Sequence, residues 1–133
     1  MSAPKVSFQV RLRSAQSMEH VAGRVSAALG CEFGPARSHE FEPGEALQAT
    51  TLGLVVDLIG EPDAAEGTEV TYVLRGLVRP DVEAELDVDA PTISITEYVL
   101  GVMQVLDDPA WYVADRAELL TEAGLPADEP SAD

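Results

Sequence analysis

The chain has 133 residues and a mass of 14.1 kDa, with 46% hydrophobic residues and a mean hydropathy of +0.03. That is enough apolar material for one packed interior, which excludes wholesale disorder and leaves no room for a second core of ordinary size. Lys plus Arg number 8 and Asp plus Glu 24, a formal charge of −16, which excludes bulk electrostatic binding to a nucleic-acid backbone or an anionic membrane.

One cysteine, Cys31, excludes an internal disulfide framework. The N-terminal residues show no basic segment followed by an apolar run. The longest apolar zones are broken by Asp57, Glu97 or Gln104, so neither a signal peptide nor a membrane span is expected, and the expected location is cytoplasmic. Seven of the eight bases are Arg, and Ala, Val, Asp and Glu dominate, which points to a GC-rich bacterial gene. Charge is uneven along the chain. Up to Leu52, five bases cancel five acids. From Gly53 onward three bases face 19 acids, so the whole excess lies in the second part.

Lys5 to Arg13 alternates strictly, with Val6, Phe8, Val10 and Leu12 on one face and a basic wet face opposite, which predicts a half-buried strand. Ser17 then opens a helix with Met18, Val21, Ala22, Val25 and Leu29 at helical spacing and Gly30 at its stop. Cys31 to Phe33 reads as a short strand, and the Gly- and Pro-containing run 34–44 as a loop. Leu47 to Ile59 reads as two short strands bent at Gly53. Val70 to Val78 is a further strand, with apolar residues on both faces.

Arg79-Pro80-Asp81 has turn character, and Asp81 to Ala90 then alternates acid with apolar. As a strand, this places Asp81, Glu83, Glu85, Asp87 and Asp89 in one row about 6.6 Å apart, from the ~3.3 Å rise per residue. As a helix it would leave no buried stripe, and Pro80 and Pro91 on either side suit an edge strand. A helix follows from a Ser94–Glu97 capping box, stapled by Ile93 and Tyr98, to about Leu106. It is apolar nearly all round, a pattern that predicts burial. Trp111 and Tyr112 lie in a connection, with Trp111 expected between the last helices and the sheet. Asp115 caps a short last helix ending at Gly124. Residues 1–125 are expected to form a single α+β domain. It is a two-layer sandwich with an antiparallel or mixed sheet of 4–5 strands and about three helices on one face, and residues 126–133 are expected to fray as an acidic tail.

Catalytic signals are thin. Cys31 and His39, with Glu40 or Glu42, could make a nucleophile–base pair, but a lone Cys after a helix stop reads more simply as a small buried hydrophobe. His20, Cys31 and His39 lack zinc-site spacing, and DVEAELDVDA lacks the Gly and Glu of a calcium loop, so no metal and no cofactor are expected. No phosphate-binding loop is present. The row Asp81, Glu83, Glu85, Asp87, Asp89 can be read in two ways. It can be a charged edge that prevents sheet aggregation, or a surface whose like-charge repulsion is relieved by a basic partner. Trp111 beside Asp107 and Asp108 would be the aromatic anchor of such a surface.

The profile resembles the immunity proteins of bacterial polymorphic toxins, which are small, acidic and cytosolic. The likeness is one of size, acidity and coarse α+β layout, and it implies a non-enzymatic inhibitor of a basic toxin or nuclease domain. It implies no direct contact with nucleic acid or membrane. Two alternatives stand beside it. One is a chaperone or assembly module binding a client, or itself as a homodimer, through an apolar surface that includes Val99 and Met103. The other is a small-molecule binder or hydrolase built on Cys31 and His39.

Overall fold

The computed structural model describes residues 4–36, 45–61, 67–83, 85–86 and 90–124. Alternation sets the centre of the fold. Strand β1 (Lys5–Ser14) turns Phe8, Val10 and Leu12 to one side, where all three are buried. Helix α1 (Met18–Leu29) follows. The Ser17 hydroxyl accepts from the His20 amide at its start, and Gly30 closes it at φ 70°, the left-handed geometry glycine adopts without strain. Next come β2 (Gly34–Pro35), β3 (Ala46–Thr51), β4 (Leu54–Ile59) and β5 (Val70–Val78). The sequence places the last three correctly. The short strand expected at Cys31–Phe33 falls instead on Gly34 and Pro35, which pair with Gln48 and Leu47.

The sheet is mixed, open and six-stranded, in the order β2-β3-β4-β5-β1-β6, where β6 is Thr92–Ser94. Every pairing is antiparallel except β1 with β6. The α+β class is as expected, with one more strand than the sequence suggested. In-register rows such as Val10–Leu74–Leu58 and Phe8–Gly76–Val56 line one face. Val21 and Val25 of α1, Val99 and Met103 of α3 (Thr96–Leu106), and Trp111 complete a core over that face. Gly76 makes this packing possible. A Cβ there would lie 2.8 Å from Phe8 Cζ and closer still to Cε2, so the Phe8 ring occupies the space a side chain would need.

The outer edge of β1 is closed in pieces. Lys5 N donates to Pro91 O (2.9 Å) and Ile95 N to Ser7 O (2.8 Å). Beyond β6, Gln9 N donates to Thr96 Oγ1 (3.1 Å), and Arg11 and Tyr112 exchange two backbone hydrogen bonds of 2.8 Å. Backbone groups of a buried strand need such partners, and three different segments provide them.

Helix α4 (Arg116–Glu122) starts at Asp115, whose carboxylate accepts from Glu118 N (2.8 Å) as the sequence predicts. It lies not with α1 and α3 but on the opposite face of the sheet, where Arg11 points.

Three expectations fail here. The edge strand expected from Asp81 does not begin there: Pro80–Glu83 forms the helical turn α2, and Ala84 and Asp87–Asp89 lie outside the described residues. Proline is preorganised for the first helical position, and Asp81 and Glu83 in a first turn suit the positive end of the helix dipole, so the local preference is helical. The capping box does not form. Thr92–Ser94 is taken by pairing with Lys5–Ser7, the helix starts one residue later with Ile95 at the cap, and the Ser94 hydroxyl accepts from Thr96 N (3.3 Å) instead. Ile93 and Tyr98 are both exposed rather than stapled. Finally, α3 is not buried all round; it buries only Val99 and Met103 fully. The predicted tail lies outside the described residues.

Candidate binding surface

The acidic segment sits beside the β3–β4 hairpin. Arg79 N donates to Gly53 O (2.9 Å), and Glu85 N donates to Val82 O (3.0 Å). Asp81 is exposed and clasped by its neighbour Arg79, whose Nε donates to Oδ1 (2.9 Å) and whose Nη2 pairs with Oδ2. That hydrogen bonding holds the Asp81 carboxyl below the ordinary carboxylate range. Glu85 is exposed beyond the turn. The side chain of Glu83, together with Asp87 and Asp89, falls outside the described residues. Among the described residues, Asp81 stands in a helical turn and not in a flat strand row.

Trp111, the expected aromatic contact, is 1% exposed and sits in the core. Its Nε1 donates to Asp107 Oδ2 (2.7 Å), so both its apolar body and its polar tip are already used. A residue so placed anchors the end of α3 to the sheet and cannot touch a partner.

Spacing along the chain does not reveal how many of the cations pair internally. Arg11 is buried and bound by Glu118 (3.0 Å) and by Glu122 through both oxygens. Hydrogen bonding to Glu122, then its charge, holds the guanidinium protonated against the cost of burial, and the same bond lowers the Glu122 pKa. Arg13 reaches Glu118 (3.9 Å) and stacks over the Tyr112 ring, 4.9 Å from its centroid, while Tyr112 Oη donates to Glu118 Oε2 (3.0 Å).

Arg24 of α1 grips the end of α3. Its Nε and Nη2 donate to Asp107 Oδ1 and Oδ2 (2.9 and 2.8 Å), and Nη2 also reaches Asp108 (3.3 Å). Burial would raise the Asp107 pKa, but the Arg24 and Trp111 hydrogen bonds and the Arg24 charge outweigh it and bring the pKa below the ordinary value. On the open sheet face Arg75 Nη2 donates to Asp57 Oδ2 and Gln48 Nε2 to Oδ1 (both 2.9 Å). These bonds satisfy an aspartate only 3% exposed. Five of the eight bases are thus locked to carboxylates of the same chain. By contrast Glu19, Glu32, Glu61, Glu69, Glu85 and Glu97 are exposed and make no ion pair among the described residues.

Other chemistry has little to stand on. Cys31 is buried, and desolvation pushes its thiol pKa up, away from the reactive thiolate. His39, its proposed base, lies outside the described residues. Among the described residues no three metal-type side chains cluster, and no helix is long and apolar enough to cross a membrane. Val99 and Met103, offered as an apolar docking surface, are core residues.

The exposed apolar surface lies elsewhere. On α3, Tyr98 is 73% exposed and Val105 82%; Leu106 is also exposed, and Gly101 and Val102 are partly so. Tyr98, Gly101, Val102 and Val105 follow i, i+3, i+4, i+7, one stripe turned away from Val99 and Met103. At the hairpin tip Leu52 stands 97% exposed. Comparison with known proteins finds no matching family model, no similar curated protein and no similar solved structure.

Proposed function

We propose that this chain is a non-enzymatic acidic binding protein that holds a basic protein partner, and that an inhibited toxin or nuclease domain is the kind of partner that fits best. One observation carries the reading: Arg11, Arg13, Arg24, Arg75 and Arg79 are spent on internal carboxylates, while the surplus acids point outward. A surface of one sign speeds encounter with a partner of the other sign and suppresses wrong partners. The resemblance in size and acidity to toxin immunity proteins is in keeping with this.

The test is affinity capture from native cells, followed by measurement of association rate against ionic strength. The expected partner is strongly basic, loses its own activity in the complex, and associates more slowly as salt rises from about 0.05 to 0.5 M, where the screening length falls severalfold. A neutral or acidic partner, or an association rate indifferent to salt, overturns the reading. Turnover of a small-molecule substrate by the purified chain overturns its non-enzymatic part.

A further inference from the structure

We infer that the outward face of α3 is the docking surface, and that it takes an amphipathic helix bearing an apolar stripe flanked by Lys or Arg. This rests on the acidic-binder reading and gives it a location that the segment Asp81–Asp89 does not provide. The apolar part is the stripe Tyr98, Val102 and Val105, continued by Leu106 at the helix end. Ile93, also exposed, pairs with Val6 and so lies on the helix-bearing side of the open edge strand β6. Large side chains this exposed, contiguous along one helix face, mark interaction sites rather than ordinary surface.

Charge selects the occupant. Glu97 stands exposed in the first turn of α3; just past its end the Asp108 carboxylate is partly exposed, while that of Asp107 is nearly buried against Arg24 and Trp111. Carboxylates at a helix C-terminus meet the negative end of the dipole, an unfavourable placement. One guanidinium, Arg24, serves both aspartates, so negative charge remains there with Asp108 partly exposed. The stripe therefore has acid at both ends, about 16 Å apart for an 11-residue helix at ~1.5 Å per residue.

A second copy of this chain fits poorly. The stripe alone supplies a few hundred Å², short of the ~800 Å² per partner of a specific interface, so the rim must contribute. In a self-pair that rim would set acid against acid between two chains of charge −16. A partner with cations outside an apolar centre satisfies both parts.

The test uses three synthetic helical peptides of roughly four turns: a Leu/Lys amphipathic peptide, the same with Leu replaced by Gln, and the same with Lys replaced by Glu. Binding is read by calorimetry and amide chemical-shift mapping on the intact chain. The Leu/Lys peptide should bind and shift Tyr98, Val102 and Val105. Each of the other two should bind at least about tenfold more weakly. The double variant Tyr98→Ser/Val105→Ser alters exposed positions, so its melting temperature should hold while affinity falls at least about tenfold; Leu119→Ser on α4 should change neither. Shifts that map elsewhere, undiminished binding to the double variant, equal binding of the Leu/Glu peptide, or a dimer abolished by the double variant would each overturn this surface while leaving the acidic-binder reading standing. Failure of both basic peptides to bind at low salt would overturn the two together.

Discussion

Leu52 occupies a position that folding alone would not give to leucine. It and Gly53 form the two-residue tip of the β3–β4 hairpin, with φ of 51° and 79°. Positive φ at both central residues is the pattern of a type I′ turn, for which Asn-Gly is the preferred pair. Leucine in the left-handed region crowds its Cβ against the following carbonyl at a cost of roughly 1 kcal/mol. Almost wholly exposed, its side chain recovers none of this through burial. Leu52→Asn should therefore stabilise the fold by about 1 kcal/mol, because asparagine tolerates that backbone. Leu52→Gly should gain less, since the added freedom of the unfolded chain offsets the relief of strain. Leu52→Val should lose stability, its branched Cβ being worse placed. For a domain of this size about 1 kcal/mol moves the midpoint by roughly 3–5 °C. Calorimetric melting of the three variants should rank Asn above Gly, Gly above wild type and Val last. An unchanged or lower midpoint for the asparagine variant would refute the strain argument.

Gly76→Ala should be severely destabilising, by about 3 kcal/mol, because the new methyl meets the Phe8 ring. Urea titration should show most of the loss restored in Gly76→Ala/Phe8→Ala relative to the sum of the single changes. Asp107 and Glu122 have folded pKa values below their ordinary 3.8 and 4.5, so the unfolded chain binds more protons in acid. The stability they contribute is present above those ordinary values and is lost as pH falls through the folded ones. Asp107→Asn should flatten that part of the acid limb in urea melts taken between about pH 2 and 6. Trp111, the single tryptophan, should emit at short wavelength and resist iodide quenching, both with and without a bound partner. Emission typical of an exposed indole would return it to the surface.

Much of the architecture was legible because its signals are local. Alternation from Lys5 to Arg13, the Ser17 and Gly30 caps, the bend at Gly53 and the Asp115 cap each act within a few residues and survive in the structure. In the acidic alternation, residue chemistry outweighs the period-two pattern at its start, where Pro80–Glu83 is helical. Asp and Glu are poor strand formers, and Pro80 followed by acids is equally a helix start. The α3 capping box lost to a contact no local pattern contains, the pairing of Thr92–Ser94 with Lys5–Ser7. The candidate surface was hidden for a related reason. An all-round apolar helix does not reveal which side meets the sheet until the sheet is placed: Val99 and Met103 are buried, and Tyr98 and Val105 are exposed. The ion pairs of Arg11 and Arg24 join residues 83 to 111 positions apart, beyond any spacing argument.

The piecewise closing of the edge of β1 bears on how the polypeptide is made. Strand β1 is synthesised before the neighbours that flank it on both sides, β5 and β6. At ordinary elongation rates that leaves an apolar, hydrogen-bond-hungry segment waiting on the order of seconds for its companions. Its arginines, later paired with Glu118, Glu122 and Tyr112, meanwhile keep the nascent strand charged on one side and less prone to stick to its neighbours. Until α4 arrives, the same residues that later bind it act as the strand's solubilising guard.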